Sequence, residues 1–352
     1  MSSLSANVQY SSEPLGRQPV AIGKLPGQQS PYALRNGEGQ HLLLGDVVVT
    51  FIARSQETGG LFEAFILSGS KDTQSPLMLH SETDKALYVM DGQLELFLNG
   101  ELRLLNRGDY AYIPSQTPHA YRMLSWRTRV LAWTTGQQGA AVYSALGTPF
   151  SRPVPPEQPG PTLTRQQYQS VLSDLEILDQ PIAWEDARPV VEADLPSTRQ
   201  PYVLREGEGE RLVAADQVFS FLQTQASSGD RFITVMTEGP AGEAIPPHYH
   251  EEHAENFFCI DGHMTMWING EEIKVLPGDY IQVPAHCVHS YRLDAPYTRF
   301  LGWLIPGLFE PFFRLIGDPY EPHLFPLDPP AFRFDRVLAN LDTIDLKVLP
   351  RQ

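Results

Sequence analysis

An ungapped internal repeat is the feature that most constrains how this chain can fold. The segment PYALRNGEGQHLL begins at Pro31 and PYVLREGEGERLV begins at Pro201, a shift of 201 − 31 = 170 residues. The same shift aligns YVMDGQLELFLNG with FCIDGHMTMWING without a gap. A repeat of this length is as long as a whole domain. We therefore predict two copies of one fold, an N-terminal domain over residues 1–178 and a C-terminal domain over residues 179–352.

Both copies have the sequence pattern of an all-β fold followed by short helices. QLELFLNGELRLL and HMTMWINGEEIKVL alternate apolar and polar residues around an Asn-Gly pair, which favours a tight hairpin turn. Apolar residues recur at intervals of three and four in YQSVLSDLEIL after the first copy, and in PFFRLIG and FDRVLANL after the second. The pattern predicts two tandem barrels of short strands, each followed by short helices.

Composition limits the kind of partner that the chain can bind. With 26 Lys+Arg and 42 Asp+Glu the formal net charge is −16, which repels nucleic acid and anionic membrane surfaces. The first residues, MSSLSANVQY, lack a basic and apolar leader, and no apolar run is long enough to span a bilayer. The two cysteines are too few for a disulfide framework or a four-cysteine zinc site. We expect a cytoplasmic protein that acts on a small molecule and binds neither nucleic acid nor membrane.

The segment HYHEEHAENFF, residues 248–258, concentrates metal-ligating side chains. Residues two apart on a strand share a face, so His248 and His250 can point at one ion. A turn through EEHA would reset the phase and start a second strand at Glu255, and His289 arrives from a later strand. Three imidazoles and one carboxylate suit a mononuclear site for Fe, Cu, Ni, Mn or Co, and the absence of a thiolate argues against structural zinc. The other charged residues of the segment, including His253, are predicted to lie solvated on the turn.

The first copy departs from this ligand set. The shift of 170 places Met78, His80, Lys85 and His119 where the second copy has its four candidate ligands, so only His80 and His119 match. A lysine ammonium beside a metal ion is strongly unfavourable in a dry interior. A slipped set of His80, Glu82 and His119 would form a facial triad, but the ungapped repeat argues against it. We predict a metal-free first barrel that serves packing, dimerisation or access to the second.

These motifs carry a family resemblance. His-x-His, four residues, Glu, six residues and Gly, followed by Pro-Gly-Asp, Pro and His, resembles the two-part cupin motif, and the tandem copies resemble a bicupin. HYHEEHAENFF, GDYIQVPAHCVH and IPGLFEPFFRLIG together are similar to the metal-bearing domain of quercetin 2,3-dioxygenases of the fungal type. Those enzymes open the flavonol heterocyclic ring and release carbon monoxide. The fold implied is a double-stranded β-helix, or jelly-roll, barrel that holds its metal inside.

The resemblance implies a role for each candidate residue of the second copy. The three histidines would ligate the metal, and Glu255 would be a fourth ligand that also takes the proton of a substrate hydroxyl. Such a transfer calls for a carboxylate whose proton affinity is raised by a dry site. Phe257, Tyr291 and Phe309 stand where the family lines its substrate cavity with aromatic side chains, which suit a flat guest.

The function implied is that of a metal-dependent dioxygenase. Its substrates would be dioxygen and a flavonol or another phenolic or enolic compound, and the protein would work as a monomer or a homodimer. Two alternatives stay open at this point. One is a metal-dependent isomerase, cyclase or hydrolase of secondary metabolism that uses the metal as a Lewis acid without oxygen chemistry. The other is a bicupin that binds a small molecule without catalysis, since a fold does not fix a function.

Overall fold

Two β-barrels built from four sheets make up the computed structural model, which describes residues 18–157, 163–171, 174–184 and 187–349. The strands up to Pro189 are β1 (Ala21–Ile22), β2 (Tyr32–Leu34), β3 (Gln40–Leu44), β4 (Val47–Ala53), β5 (Phe62–Gly69), β6 (Met78–His80), β7 (Lys85–Asp91), β8 (Leu94–Leu98), β9 (Glu101–Leu105), β10 (Tyr110–Ile113), β11 (His119–Met123), β12 (Thr128–Thr135), β13 (Thr148–Pro149), β14 (Leu175–Ile177) and β15 (Arg188–Pro189).

The later strands and the helices complete the secondary structure of the described residues. The strands are β16 (Tyr202–Leu204), β17 (Glu210–Ala214), β18 (Gln217–Gln223), β19 (Ile233–Gly239), β20 (His248–Tyr249), β21 (Ala254–Asp261), β22 (Met264–Ile268), β23 (Glu271–Val275), β24 (Tyr280–Val283), β25 (His289–Leu293), β26 (Thr298–Ile305), β27 (Asp318–Pro319) and β28 (Lys347–Val348). The helices are α1 (Ser55–Thr58), α2 (Ala141–Leu146), α3 (Arg165–Gln169), α4 (Gln225–Ser228), α5 (Glu310–Ile316) and α6 (Phe334–Leu338).

Each barrel consists of a larger and a smaller sheet with a hydrophobic core between them. The first barrel has strand orders β13-β3-β4-β5-β12-β7-β10-β16 and β14-β6-β11-β8-β9-β15. The second has orders β1-β2-β24-β21-β26-β19-β18-β17-β27 and β23-β22-β25-β20-β28. Phe65 of the larger sheet packs in one cluster with Leu96 of the smaller sheet in the first barrel, and Phe257 does so with Met266 in the second. The predicted all-β fold of two tandem barrels is confirmed.

The two Asn-Gly hairpins predicted from sequence are present. β8 and β9 are joined at Asn99 and Gly100, with φ of 51° and 94°, and β22 and β23 at Asn269 and Gly270, with φ of 50° and 86°. Positive φ at both central residues is what a tight hairpin turn requires, and asparagine and glycine adopt it most readily.

The two barrels exchange their first strands. β2, which begins the first repeat, pairs with β24 of the second barrel, and β16, which begins the second repeat, pairs with β10 of the first. Tyr32 donates a 2.7 Å hydrogen bond to the carbonyl oxygen of Ile52, and Tyr202 donates one of 2.6 Å to that of Leu222. Each exchanged strand therefore remains tied to its own repeat while it extends the sheet of the other. A domain boundary between residues 178 and 179 stays a prediction.

Aromatic stacking joins the barrels at their centre. Trp133 and Trp303, which the 170-residue shift relates, stack with ring centroids 5.0 Å apart and are fully buried. Tyr280 also stacks on Trp303, with ring centroids 5.5 Å apart. Burial of such large side chains on both partners makes this contact a major source of stability.

One predicted helix is a strand in part. In YQSVLSDLEIL, residues 172 and 173 lie outside the described part of the chain, and Leu175–Ile177 forms β14 against β6. Its buried, exposed, buried pattern has the two-residue period of a strand, which a three-residue apolar spacing in sequence conceals. Helix α2 after the first barrel is the counterpart of α5 and was not predicted, while α5 and α6 lie in the two segments expected to be helical.

None of the helices in the described ranges has the length and apolarity needed to cross a membrane. The N-terminal segment judged to lack a leader lies outside those ranges.

Candidate metal centre

The four candidate ligands of the second barrel come from strands β20, β21 and β25 and from the turn that follows β20. His248 lies on β20 and is directly opposite His289 on β25, while Glu255 lies on β21. His250 directly follows β20, and the turn before β21 resets the side-chain direction so that Glu255 faces the same interior. The strand-turn-strand arrangement predicted from the spacing is therefore present.

The ligand atoms of these residues converge on one point. One donor atom each from His248, His250, Glu255 and His289 lies within 4.8 Å of all the others. Nε2 of His289 is 3.1 Å from Oε2 of Glu255, and Nε2 of His250 is 3.4 Å from Oε1. All four residues are at most 9% exposed. The structure thus brings together the whole set that the sequence proposed as ligands.

Backbone carbonyl groups orient all three imidazoles in the same way. The Nδ1 atoms lie at hydrogen-bond distance from the carbonyl oxygens of Pro246 (2.9 Å, from His248), Asp345 (2.6 Å, from His250) and Cys287 (3.0 Å, from His289). A carbonyl oxygen can only accept, so each Nδ1 carries the hydrogen and each Nε2 presents its lone pair. This is the tautomer that a histidine ligand adopts when its second nitrogen is held by the protein.

The residues present fit a divalent transition metal. Nε2 of His250 is buried and makes no hydrogen bond, which leaves a polar atom that a metal ion would satisfy. Burial and the neighbouring His253 lower the pKa of His250 to about 4, and burial with His289 holds the pKa of His248 well below its ordinary value. Both imidazoles are neutral at pH 7 and free to coordinate. Three nitrogen donors and one carboxylate match first-row divalent metals.

Glu255 differs from its prediction in one respect. Burial by itself raises the pKa of Glu255, but the imidazoles around it, first of all that of His250, outweigh burial and hold the pKa well below its ordinary value. Burial thus acts in the direction that the sequence predicts for this carboxylate, and the surrounding imidazoles act against it. Glu255 is therefore an ionised hydrogen-bond acceptor at neutral pH.

His253 was predicted to be solvated and is instead completely buried. Its Nδ1 lies 2.7 Å from Oδ2 of Asp345, and its Nε2 lies 3.8 Å from Oε1 of Glu255. Burial lowers the pKa of His253, but its contacts with these two carboxylates outweigh burial and raise the pKa overall. Sequence reasoning missed both His253 and Asp345. The two residues are 92 positions apart in the chain, so no local sequence pattern indicates that they are in contact.

An apolar cavity of about 390 Å³ opens beside the four ligands, and His248 and Glu255 form part of its wall. The three predicted substrate-binding residues, Phe257, Tyr291 and Phe309, all line it. Further aromatic lining residues that the sequence did not indicate are Phe219, Phe300, Phe312, Phe313, Phe332 and Phe334. A cavity of this size, with apolar walls that include several aromatic side chains, is suited to a planar organic ligand.

Comparison with known proteins places the chain in a family. A cupin domain model matches residues 69–132 and 235–296, once in each barrel. Quercetin 2,3-dioxygenase of Bacillus subtilis (strain 168) is 46% identical to this chain over 327 residues, which are 92% of this chain and 97% of that protein. The chain belongs to the quercetin 2,3-dioxygenase family. The predicted bicupin architecture and dioxygenase class are thereby confirmed.

Two further proteins show lower sequence identity. The quercetin 2,3-dioxygenase of Aspergillus japonicus is 34% identical over 140 residues, 38% of this chain and 40% of that protein. The structure of oxalate decarboxylase from Bacillus subtilis at pH 4.6 has a TM-score of 0.50 at 14% identity, covering 78% of this chain and 76% of the other. That likeness shows a shared bicupin fold.

In this family member the first barrel carries a cation of its own at the equivalent place. The ammonium nitrogen of Lys85 lies 3.4 Å from Nε2 of His80 and 3.1 Å from Nε2 of His119. Burial lowers the pKa of Lys85 to about 8, and burial with Lys85 lowers that of His119 well below its ordinary value. Met78 is buried opposite His119, while Glu82 is exposed on the turn. The slipped set of His80, Glu82 and His119 is not brought together.

Proposed function

We propose that the second barrel binds one divalent transition metal through His248, His250, Glu255 and His289. With this metal bound, the protein would oxygenate a flavonol or a related phenolic or enolic compound in the second barrel. The observation that carries the proposal is the convergence of these four donor groups within 4.8 Å beside an aromatic cavity of about 390 Å³. The name of the Bacillus subtilis relative supports a flavonol as substrate and dioxygen as co-substrate. The metal would be one of Fe, Cu, Ni, Mn and Co.

A bound metal of this kind supplies a Lewis-acidic and redox-active centre. The protein's part is to hold three neutral imidazoles with their Nε2 lone pairs aimed inward, and the carbonyl groups bound to Nδ1 perform this task. Because these acceptors belong to the backbone, they do not change with pH, and the orientation of the ligands stays fixed.

Glu255 acts on the substrate hydroxyl in this proposal. Its carboxylate lines the cavity and is ionised, so it accepts the hydroxyl proton or a hydrogen bond from it. The low pKa of Glu255 favours a hydrogen bond from the substrate hydroxyl, and a bound metal would supply the acidity with which that hydroxyl could give its proton to Glu255. Burial of the carboxylate excludes water that would compete for this contact.

The cavity wall determines which molecules reach the centre. Phe257 and Tyr291 lie with ring centroids 6.3 Å apart, and Phe309 lies 4.5 Å from the ring of His250. The Tyr291 hydroxyl donates a 2.8 Å hydrogen bond to Oε1 of Gln217, which fixes the edge of that ring. Flat faces at these positions favour a planar aromatic guest over a branched aliphatic one.

The test is dioxygen uptake on a panel of flavonols and other phenols by protein loaded with each of the five metals. The internal repeat supplies a matched pair of variants, His289→Ala in the second barrel and His119→Ala in the first. We expect His289→Ala to lose both metal and uptake, and His119→Ala to keep both. Substrate conversion without dioxygen uptake would show that the reaction is not oxidative. Loss of activity in His119→Ala but not in His289→Ala would show that the metal centre lies in the first barrel.

A further inference from the structure

We propose that His253, held by Asp345, is a positioning residue that donates from Nε2 to Oε1 of Glu255 and fixes this carboxylate for its work in the cavity. The inference rests on the proposed function, because it gives a purpose to one side chain of the same site. It concerns a residue that contributes neither to the four proposed ligands nor to the cavity wall.

The two ring nitrogens of His253 face two different carboxylates. Nδ1 lies 2.7 Å from Asp345, and Nε2 lies 3.8 Å from Glu255 and makes no hydrogen bond in the structure. Each ring nitrogen faces a carboxylate oxygen, and an N–H group at that place forms a charge-assisted hydrogen bond with such an oxygen. A shift of under about 1 Å by the Glu255 carboxylate brings Nε2 into hydrogen-bond range.

Packing leaves His253 little freedom to turn away from Glu255. The ring of His250 lies 4.0 Å from that of His253, and the ring of Phe309 lies 4.9 Å from it, with all of His253 shielded from solvent. A donor restrained in this way is pre-organised, which is what an orienting contact requires.

Asp345 ties this ring to the turn and to one proposed ligand. Its two carboxylate oxygens accept hydrogen bonds of 2.8 Å from the backbone N–H groups of Glu251 and Glu252, and its carbonyl oxygen accepts from Nδ1 of His250. Substitution of Asp345 would therefore disturb several contacts at once. His253 is the residue through which the proposal can be tested cleanly.

The first barrel shows that the turn does not need a histidine. There Thr83 occupies the position of His253, and its Oγ1 donates a 2.7 Å hydrogen bond to Asp174, which also accepts from the backbone N–H of Glu82 at 2.7 Å. The aspartate that organises the turn is thus kept in both barrels. The imidazole is present only in the barrel that has Glu255, where the other barrel has Lys85. Its purpose is tied to that carboxylate and not to the fold of the turn.

Three substitutions of His253 separate its two contacts. His253→Thr introduces the residue that already builds the same turn in the first barrel. His253→Asn keeps an amide nitrogen near the place of Nδ1, within reach of Asp345 alone. His253→Gln places an amide nitrogen near the place of Nε2, within reach of Glu255. The measurements are melting temperature, the visible absorption spectrum of the cobalt(II)-loaded protein, and kcat and KM for the best flavonol, with Glu255→Gln as reference.

We expect His253→Thr and His253→Asn to fold, with kcat lowered about 10- to 100-fold and KM changed little. Their cobalt spectra should move toward that of Glu255→Gln, while His253→Gln should keep a spectrum and a kcat close to those of wild type. A His253→Thr protein with wild-type spectrum and kcat would overturn the proposal. Equal losses of kcat and melting temperature in all three variants would also overturn it and make His253 a packing residue. The cobalt spectra need no substrate, so they test His253 even if no flavonol is turned over and the proposed function fails.

Discussion

The ammonium nitrogen of Lys85 lies 3.1 Å from Nε2 of His119, and a carboxylate oxygen of Glu255 lies 3.1 Å from Nε2 of His289 at the equivalent place of the second barrel. One chain therefore contains two related constellations, which differ in Met78 in place of His248 and in the opposite charge of Lys85 and Glu255. In the first barrel the ammonium donates to the imidazoles that would otherwise face a metal. The second barrel offers a carboxylate instead, and its imidazole lone pairs stay available to a cation.

A Met78→His, Lys85→Glu double variant should convert the first barrel into a metal site. The two substitutions would complete a set of three imidazoles and one carboxylate, at strand positions equivalent to those of the second barrel's ligands. They would also remove the ammonium group that repels a metal ion. We expect about one additional metal ion per chain by elemental analysis. Lys85→Ala is the control and should gain little, because two histidines and a thioether bind a divalent ion weakly. Normal folding without extra metal would contradict the account of the first barrel.

The buried ammonium of Lys85 should leave a signature in stability against pH. Its pKa is about 8 in the folded protein and 10.5 when solvated, so between these values the unfolded chain holds a proton that the folded chain has lost. The free energy of unfolding of wild type, relative to Lys85→Met, should then rise by about 3 kcal/mol from pH 8 to pH 10.5 and stay level below pH 8. Denaturant unfolding of both proteins across this range measures the difference. A flat difference, or one that falls, would show that Lys85 is not a desolvated cation.

Substitution of the proposed carboxylate should separate metal binding from turnover. Glu255→Gln leaves three imidazoles with their carbonyl partners, so it should keep most of its metal while kcat falls about 100- to 10,000-fold. His250→Ala removes a nitrogen donor and should lose metal as well. Elemental analysis beside steady-state kinetics distinguishes the two outcomes. Wild-type rates in Glu255→Gln would take this residue out of the reaction.

Replacing Phe309 by a side chain of nearly the same volume should change KM for the substrate more than it changes stability. It is 2% exposed and lies against His250, so truncation to alanine would create a cavity and confuse the two effects. Phe309→Leu should lower stability by less than about 1.5 kcal/mol and raise KM for a planar substrate about 2- to 10-fold. Phe65→Leu in the core of the first barrel is the matched control and should change melting temperature without changing KM. If Phe309→Leu changes KM no more than Phe65→Leu does, Phe309 is a core residue without a role in substrate binding.

The sequence predicted those features that a local pattern can encode. The 170-residue repeat indicated two barrels, the Asn-Gly pairs indicated hairpins, and strand alternation with one turn aligned His248, His250 and Glu255. These predictions depend on residues that are close in the chain or repeated in it. For the same reason the inversion of charge at Lys85 was visible by simple alignment.

Other features depend on contacts between distant segments. PYALR and PYVLR are nearly identical, so nothing in them indicates that each strand joins the other barrel. The burial of His253 follows from Asp345, which lies 92 residues away, and its charged neighbours in sequence suggested a solvated turn instead. Tertiary contacts decide these features, and a single sequence carries no local sign of them.

The most direct test of a single metal centre in the second barrel is dioxygen uptake with quercetin, measured as metal-free protein is titrated with its best metal. A single centre in the second barrel predicts uptake that starts near zero, rises in proportion to bound metal and levels off at about one metal ion per chain. Uptake that is independent of added metal, or that continues to rise until two ions are bound per chain, would contradict it.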